Sequence, residues 1–449
     1  MKLKFAIILQ DRFYLKFIQH EELKMAKKAK LNKEQIFVQI ASYRDSELVP
    51  TIRDMLEKAE HPEALTFGIC WQRCEKESLE EFAKDKRFRV IDIPWNESKG
   101  LCWARSLLQP LHKGEKWTMQ LDSHHRFSEK WDTDILGMMN DLMTESPKPI
   151  LGSYAGMYEP ETNKKLNIEP YKMVADDFTS HGTILFRPHA IPNWQDLKRP
   201  VRARFVSGHF FFTVGQHCQE YAYDPNIYFA GDEISLSIRG FTQGYDLYHP
   251  HRTLVWHEYL RKHRRKHWDD HVQENKEKGV TGDNWHEIDM AGKVRLRHML
   301  REEDNGLDLG KYDIGNVRTH REYELYAGID FAKRRLQQEA VDGKDPPCTY
   351  VSDEQWEASF TRVSNLVLRW DVGHVEKADD YDFWAVCVED RQGNVIARSD
   401  LNHDNGADQL SFRKNTLEVK VKSPGKPFKW VLWPHSKTKG WLQRHDYDL

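Results

Sequence analysis

"MQLDSHHRFSEKWD" (Met119–Asp132) contains an apolar segment that stops abruptly at a carboxylate followed by two imidazoles. The run that begins at Trp117 predicts a buried strand ending at Asp122. Asp122 and His124 are two residues apart, and at an extended strand end that spacing sends both side chains to the same side. The pair could therefore hold one cation. An aspartate that caps the next helix, followed by surface histidines, is the alternative interpretation.

Alternating strands and helices lead up to this stretch. The order predicts an α/β layer with a mostly parallel sheet. Ligands of such sheets bind beyond the carboxyl ends of the strands, and Ser42, Gln72, Trp95 and Asp122 all fall at those ends. The predicted strands are 35–42, 65–72, 88–95 and 117–122, and the predicted helices are 48–59, 76–83 and 101–109.

The later part of the chain changes character. Residues 150–260 mix strands with a helix at "GDEISLSIRGFTQG" and continue the layer, whereas 261–335 are densely charged and predict exposed helices. The run "RKHRRKH" within them could bind phosphate, but charge runs are more often solvated surfaces. Alternating strands around a turn at Arg391–Asn394 predict an antiparallel domain at the end. The predicted parts are an N-terminal extension (1–34), a catalytic domain (35–260), a charged helical segment (261–340) and a small β-rich C-terminal domain (341–449).

Length and charge exclude some classes of partner. The chain has 449 residues, and 39% of them are hydrophobic, which is enough for a sizeable core in about two or three domains. Lys and Arg number 67 against 70 Asp and Glu, so the net charge is -3. Such a balance creates no positive field that would attract phosphates, and we expect no nucleic-acid partner.

The N-terminal residues and the cysteines bear on location. The apolar run from Phe5 to Leu9 is too short to span a membrane and lacks a small-residue cleavage site. Met25 is a second plausible start, so the residues before it are either an upstream-start artefact or a surface helix. Six cysteines occur without a CxxC pair, and Cys70 and Cys74 lack the second ligand pair that zinc would need. We therefore predict reduced thiols, no membrane span and a cytoplasmic location.

Several motifs resemble those of a known group of enzymes. "DSH" after the fourth strand resembles the metal-binding Asp-x-Asp or Asp-x-His motif of nucleotide-sugar glycosyltransferases with the GT-A fold. The run from Ile36 to about Leu260 resembles polypeptide α-N-acetylglucosaminyltransferases, a family that includes a cytoplasmic hydroxyproline GlcNAc-transferase of a ubiquitin-ligase subunit. The motifs are "IFVQIASYRDSEL", "GLCWARSLL", "LDSHHRFSEKWD", "GHFFFTVG", "YFAGDEISLSIRGFTQGYDLYHP" and "VWHEYLR". The resemblance implies an α/β, GT-A-like nucleotide-sugar-binding sheet with flanking helices, plus the small C-terminal antiparallel β domain outside it.

The same resemblance implies a metal site. In polypeptide GalNAc-transferases an Asp-x-His motif is completed by a distant histidine, and the order "FAGDEISLSIRG" then "YDLYHPHRTLVWH" is similar. On that pattern Asp122, His124 and His257 are the ligands, with His249 and His251 as competitors for the third place. Two imidazoles and one carboxylate favour Mn²⁺ or another borderline divalent ion over Mg²⁺, and the ion would stabilise the departing UDP.

Other site residues follow from position and from the resemblance. Asp232 and Glu233 start a helix and could cap it, but the resemblance implies that one of them contacts the sugar or the acceptor. This chain has "AGDE" where the relatives have an extra glycine and Glu-Asn, which leaves open which of the two it is. Arg44 and Arg105 could instead form ordinary ion pairs. The expected donor-binding residues are Ser42, Tyr43, Arg44, Arg105, Asp122, Ser123, Gly208 and His209.

The reaction implied by the resemblance is transfer of GlcNAc from UDP-GlcNAc to a protein or peptide hydroxyl with retention of configuration. Retaining hydrolases use two close carboxylates, and the sequence offers no clear dedicated nucleophile, so front-face attack is favoured. Another UDP-sugar donor or a glycan acceptor fits the same motifs. A non-catalytic carbohydrate- or protein-binding module and a metal-dependent hydrolase are alternatives from other classes.

Overall fold

The computed structural model describes residues 34–349, 352–360, 362–370, 380–401, 416–423 and 425–449. The predicted N-terminal extension lies outside them except for its last residue, and so do both candidate start methionines. The described residues form two compact units. The larger unit consists of 34–327 with 345–347, and the smaller one of 328–344 with the described part of 348–449.

The larger unit is built on an eight-stranded mixed sheet with the strand order β11-β13-β6-β12-β4-β1-β2-β3. Strands β4, β1, β2 and β3 are parallel, and β12 pairs antiparallel with β4. The strands of the unit are β1 (Ile36–Tyr43), β2 (Leu65–Arg73), β3 (Phe88–Pro94), β4 (Trp117–Asp122), β5 (His125–Phe127), β6 (Pro149–Gly152), β7 (Gly156–Glu159), β8 (Lys164–Lys165), β9 (Tyr171–Phe178), β10 (Ile184–Ala190), β11 (Val201–Arg202), β12 (Phe210–Val214), β13 (Asp246–His249) and β14 (Val255–His257).

Helices flank the sheet, and the predicted α/β architecture is confirmed. Every residue of β1 is buried, as expected for a strand covered on both faces. The first helix buries Leu48, Ile52 and Met55, which recur at helical spacing. The helices of the unit are α1 (Leu48–Lys58), α2 (Leu101–Leu108), α3 (Trp131–Leu142), α4 (His217–Glu220), α5 (Asp232–Thr242), α6 (His267–Asp270), α7 (Gln273–Glu277), α8 (Trp285–Met299) and α9 (His320–Ala327).

One predicted helix is wrong. Residues 76–83 form only a 3₁₀ turn at Glu80–Phe82. Its backbone hydrogen bonds join residues three apart, since the Phe82 N–H donates to the Leu79 carbonyl at 3.0 Å and the Ala83 N–H donates to the Glu80 carbonyl at 3.1 Å. Bonds of this spacing close 3₁₀ turns, which rarely continue for more than a few residues. The segment is therefore a compact loop between β2 and β3.

A second sheet, with the order β5-β14-β7-β8, completes the region around the end of β4. Its strands β5 and β14 are three residues long and antiparallel, with His257 opposite His125. Only two residues, Ser123 and His124, separate β4 from β5. The pairing therefore delivers the end of β14 to the carboxyl end of the central strand.

The smaller unit contains the predicted antiparallel β domain. Strands β18 and β19 form the expected hairpin around the turn at Arg391–Asn394. Its core contains Trp370, Trp384, Trp430 and Leu432. The elements are β15 (Ile329–Asp330), β16 (Arg335–Leu336), α10 (Gln338–Val341), α11 (Asp353–Ala358), β17 (Arg362–Arg369), β18 (Tyr381–Glu389), β19 (Val395–Leu401), β20 (Thr416–Ser423), β21 (Lys429–Ser436), β22 (Gly440–Trp441) and β23 (His445–Asp448). Within the described ranges of both units, no helix has the length and apolar character needed to cross a membrane.

Candidate functional site

The structure brings together the three side chains predicted to hold a metal. One ligand atom each from Asp122, His124 and His257 lies within 4.8 Å of the others. The Asp122 Oδ2 atom is 3.5 Å from Nε2 of His257 and 4.0 Å from Nε2 of His124. Burial opposes ionisation of Asp122, but the neighbouring imidazoles and the Arg105 guanidinium outweigh it and hold the pKa of the carboxyl well below its usual range. The three groups thus form a compact anionic chelate suited to a divalent cation.

The hydrogen bonds of His249 and the position of His251 distinguish these two competitors from His257. Both ring nitrogens of His249 are engaged, since Nδ1 donates to the Gly152 carbonyl at 2.7 Å and Nε2 accepts from the Met173 N–H at 3.3 Å. His251 is buried and, like His257, makes no hydrogen bond through either ring nitrogen within the described part of the chain, but it lies outside the cluster. His257 is also buried, yet neither of its ring nitrogens makes a hydrogen bond to the described residues. A buried imidazole without partners is costly, and a bound cation would satisfy it.

His124 is held from behind by a carboxylate that the sequence reasoning missed. Its Nδ1 is 2.8 Å from Oδ2 of Asp45, which leaves Nε2 on the side of the cluster. Asp45 follows the end of β1 by two residues and also accepts a hydrogen bond from the Ser123 hydroxyl at 2.6 Å. Burial would raise the pKa of Asp45, but His124 and two nearby arginines lower it overall.

Arg105 joins the cluster formed by Asp122, His124 and His257 to the start of α5. Its Nη2 lies 2.8 Å from Asp122 Oδ1 and 2.6 Å from the Gly208 carbonyl oxygen, and its Nη1 pairs with Asp232. The guanidinium is 2% exposed, so this is a buried bridge between two aspartates. Breaking such a pair leaves an uncompensated charge, which is strongly destabilising. The arginine therefore forms the structural ion pair considered as one alternative, and it also borders the cleft described below.

Gly208 and His209 lie directly beside these groups. A Cβ at Gly208 would collide with the Asp232 carboxylate and approach Arg105 Nη1 to 3.1 Å, so only glycine fits. The His209 ring stacks on His257 with centroids 4.3 Å apart. Its Nε2 accepts from the Ala155 N–H at 3.2 Å and its Nδ1 contacts the Ser207 hydroxyl at 2.9 Å. Both ring nitrogens of His209 are thus occupied by the protein.

Asp232 and Glu233 have different environments. Asp232 is 5% exposed and is held by Arg105. Glu233 is half-buried at the cleft wall, where it accepts hydrogen bonds from the Tyr154 hydroxyl at 3.0 Å and from the Gly208 N–H at 3.2 Å. Removal from water raises the pKa of Glu233 to about 7. Glu233 is therefore the carboxylate that can change protonation near neutral pH.

Two adjoining cavities border the Asp122–His124–His257 cluster. The larger has a volume of about 550 Å³ and the smaller of about 80 Å³. Asp122, His124, Arg261 and Lys266 border both cavities. The smaller one is also lined by Ala41, Tyr43, Gln72, Ser123, Tyr228 and His267, and the larger one by Arg105, Tyr154, Gly208, His209, Asp232, Glu233, His257 and Tyr259.

The predicted donor-binding residues at the end of β1 lie in different environments. Tyr43 borders the smaller cavity, and its hydroxyl donates to Asp270 at 3.0 Å. Arg44 forms an ion pair with the same carboxylate at 2.8 Å and places its guanidinium 4.9 Å from the Trp95 ring centre. Ser42 is fully buried. Neither Ser42 nor Arg44 borders these two cavities, so the ion-pair interpretation describes the contacts of Arg44.

The charged run "RKHRRKH" covers this region instead of forming a purely solvated surface. Arg264 pairs with Asp45 at 2.6 Å and with Glu258. The Nη2 atom of Arg261 donates to the Tyr43 carbonyl at 3.1 Å. Together with Lys266, which borders both cavities, this run supplies cations where an anionic ligand of the metal would lie.

Solved structures share parts of the architecture at low identity. The crystal structure of GalNAc-T7 with UDP, GalNAc and Mn²⁺ is 16% identical, with a TM-score of 0.45, over 65% of this chain and 54% of that one. The chain thus spans about half the length of GalNAc-T7. S. aureus TarS 1–349 in complex with UDP-GlcNAc is 10% identical, with a TM-score of 0.35, over 59% of this chain and 72% of that one. No curated protein matches the chain.

Family membership comes from the sequence itself. The family model described as "Glycosyltransferase (GlcNAc)" matches residues 35–84 and 74–333 in two overlapping segments. The match runs through β1 and the metal cluster and includes the cationic run that follows β14. Since it covers more than half of the 449 residues, the chain belongs to the GlcNAc glycosyltransferase family.

Proposed function

We propose that the protein is a Mn²⁺-dependent retaining glycosyltransferase that moves GlcNAc from UDP-GlcNAc to a protein hydroxyl of Ser, Thr or hydroxyproline. The observation that carries the proposal is the cluster of Asp122, His124 and His257 at two cavities that Arg261 and Lys266 also border. A diphosphate needs several positive charges around it, and a divalent cation beside two basic side chains meets that need.

The residues of the cluster fit a divalent metal. Neither buried ring nitrogen of His257 makes a hydrogen bond to any residue that the structure describes, and Nε2 lies 3.5 Å from Asp122 Oδ2. The Nδ1 contact of His124 with Asp45 directs Nε2 of His124 toward Asp122. Two imidazoles with a carboxylate suit Mn²⁺ or a related ion, with oxygens of a diphosphate as further ligands. When bound, the ion would supply Lewis-acid stabilisation of the negative charge on the leaving diphosphate.

The remaining residues have separable tasks in this proposal. Arg261 and Lys266 offset the charge of the diphosphate, and the smaller cavity, with Tyr43 on its wall, accepts the base. Asp232 is tied to Arg105 and is not free to attack the sugar. Glu233, with its near-neutral pKa, accepts hydrogen bonds from hydroxyl groups of the sugar or acceptor. The acceptor oxygen attacks the anomeric carbon from the face that the diphosphate leaves, the bond from that carbon to the diphosphate breaks, and a phosphate oxygen of the leaving group takes the acceptor proton, so configuration is retained.

Calorimetric titration of UDP-GlcNAc with and without Mn²⁺ tests the donor site. We expect binding that requires Mn²⁺ in the wild-type protein and is lost in His124→Ala. His61→Ala changes an exposed histidine outside the cluster and should bind like the wild type. Metal-independent binding, or equal binding by both variants, would contradict the metal assignment. Parallel titrations with UDP-glucose and UDP-GalNAc identify the preferred donor.

Transfer to an acceptor is a separate experiment. Incubation with radiolabelled UDP-GlcNAc and hydroxyl-bearing peptides, followed by α-specific glycosidase digestion, reports both the acceptor class and the retained configuration. A glycan acceptor would be labelled in place of the peptides. Binding of UDP-GlcNAc without transfer to either class would favour the non-catalytic binding module, and release of UDP without an acceptor would favour hydrolysis.

A cytoplasmic location is also proposed. All six cysteines are free thiols, and Cys70, Cys102, Cys218 and Cys348 are buried. Burial raises the pKa of the Cys70 thiol to about 12, so it is an unreactive core thiol. Free buried thiols are typical of reducing compartments. Cell fractionation with an antibody to the protein tests the proposal, and recovery in a secreted or vesicular fraction would contradict it.

A further inference from the structure

Asp45 is a buried carboxylate immediately behind the metal cluster. Asp45 is 2% exposed, and its oxygens contact four side chains, of which Arg261 is the most distant, with Nη2 3.8 Å from Oδ2. His124 Nδ1 and the Ser123 hydroxyl lie 2.8 and 2.6 Å from Oδ2, and Arg264 Nε lies 2.6 Å from Oδ1. Its own turn fixes it further, since Oδ1 accepts from the Glu47 N–H at 3.0 Å. The carboxylate is therefore held in place without any ion.

The contact with His124 decides which ring nitrogen carries the proton. A carboxylate accepts, so Nδ1 must donate, and the lone pair of Nε2 then faces Asp122 and His257. The other tautomer would place a hydrogen on the nitrogen that has to bind the cation. Carboxylates that hold ligand histidines in this way raise metal affinity by fixing ring orientation and tautomer.

The contact with Arg264 reaches the other ligand strand. Arg264 also pairs with Glu258, which directly follows His257 at the end of β14. Asp45 thus touches the segment that carries His124 and, through one arginine, the segment that carries His257. The two segments are more than a hundred residues apart in the chain, so this link acts only in the folded protein.

We infer that Asp45 is the positioning residue of the metal centre: it sets the tautomer and the ring orientation of His124. The inference rests on the metal site of the proposed function, but it does not depend on sugar transfer. Nothing in the sequence around Asp45 distinguishes it from an ordinary turn residue. The assignment comes from the four side chains that contact its carboxylate.

Asp45→Asn is the decisive variant. The amide keeps the size of the side chain and an oxygen acceptor but loses the charge, and Arg264 still pairs with Glu258, so no buried cation is orphaned. We expect Mn²⁺ affinity to fall by about 10- to 100-fold. Electron paramagnetic resonance of free Mn²⁺ measures the affinity without a sugar donor or acceptor, and a second series contains a fixed concentration of UDP.

A matched control and a double variant separate positioning from general damage. Asp132 is an equally buried aspartate whose carboxylate accepts two backbone N–H groups at 2.8 Å outside the cluster. Asp132→Asn should lower the unfolding temperature and leave Mn²⁺ affinity unchanged. In a His124→Ala background, Asp45→Asn should lower the residual Mn²⁺ affinity by less than about twofold, because residues that act through one partner are not additive.

The outcomes distinguish this inference from the proposed function. Equal Mn²⁺ affinity of Asp45→Asn and the wild type would overturn the inference and leave the transferase proposal standing. A further tenfold loss in the His124→Ala background would also overturn it, since Asp45 would then act on something other than His124. If Asp45→Asn weakens Mn²⁺ binding but the wild-type protein transfers no sugar, the inference is supported and the proposed function is contradicted. Absence of Mn²⁺ binding, even with UDP, would overturn both.

Discussion

Replacing Glu233 with glutamine should change the pH dependence of stability in a defined direction. The pKa of Glu233 rises from its ordinary value of 4.5 to about 7 because the cleft wall removes the carboxyl from water. The folded protein therefore binds a proton that the unfolded chain has already released between pH 4.5 and 7. Stability falls with rising pH wherever the folded state binds more protons. This contribution is thus fully present below pH 4.5 and is lost as the pH passes 7.

The size of the effect follows from the shift. A difference of about 2.5 pKa units at 1.36 kcal/mol each corresponds to at most about 3 kcal/mol. Glutamine does not titrate, so the stability of Glu233→Gln does not fall through this group as the pH rises. It gives up one of the two hydrogen bonds from Tyr154 and Gly208, which costs about 1 kcal/mol at every pH. The variant should therefore be about 1 kcal/mol less stable than the wild type at pH 4.5 and about 2 kcal/mol more stable at pH 8.

Hydrogen exchange reads this difference within the larger unit. Peptides from β1 and β4 lie at the centre of its sheet, and their amides report the free energy of opening. Wild type and variant are compared at the same pH in EDTA, so the intrinsic exchange rate and every other titrating group cancel. A constant offset between the two proteins from pH 4.5 to 8 would refute the reasoning, because Glu233 would then titrate alike in the folded and unfolded chains.

Three further predictions concern the same region. Gly208→Ala should lower the Tm by about 5 °C, because the added methyl group would push apart the buried ion pairs that Arg105 makes with Asp122 and Asp232. Its control is Gly137→Ala in α3, where the Cβ meets open space, and this variant should raise the Tm by about 2 °C. Thermal unfolding of both variants and the wild type measures the two shifts. His257→Ala should weaken Mn²⁺ binding by more than about 100-fold, while His249→Ala should lower stability and keep the ion, as Mn²⁺ titration and unfolding curves would reveal. Lys266→Gln should weaken UDP binding about fivefold at low salt and less than about twofold at 0.5 M salt, because salt screens the attraction between Lys266 and the diphosphate. Calorimetry measures both affinities, and an equal effect at the two salt concentrations would contradict a direct charge interaction.

Three central strands of the large sheet, β1, β2 and β4, were predictable because they are long and mostly buried. The predicted boundaries of β1, β2 and β4 agree with the observed ones within about one residue. Apolar runs of this length, bounded by polar residues, are typical of strands that are buried on both faces. The second sheet was not predicted. Its strands β5 and β14 are three residues long, too short for any periodicity, and they meet only because the fold brings distant segments together.

The candidate site was partly predictable for a similar reason. Asp122 and His124 stand at a strand end, where chemistry is expected, and the resemblance pointed to His257. Asp45 and Tyr154 gave no such signal, because each is an isolated polar residue whose partner lies far away in sequence. The run "RKHRRKH" was ambiguous, since charge alone does not say whether a basic side chain faces water, a carboxylate or a cavity.

Charge balance explains why the metal and the diphosphate should bind together. Around the cluster, four carboxylates and four basic side chains balance without any ligand, and Glu233, with a pKa of about 7, adds about half a negative charge at pH 7. A diphosphate alone would add about two uncompensated negative charges to this half-buried region, and a divalent ion alone would add two positive ones, both of which are costly away from water. Added together they cancel, so UDP should raise Mn²⁺ affinity by the same factor by which Mn²⁺ raises UDP affinity. The balancing groups are Asp45, Asp122, Asp232 and Glu258 against Arg105, Arg261, Arg264 and Lys266.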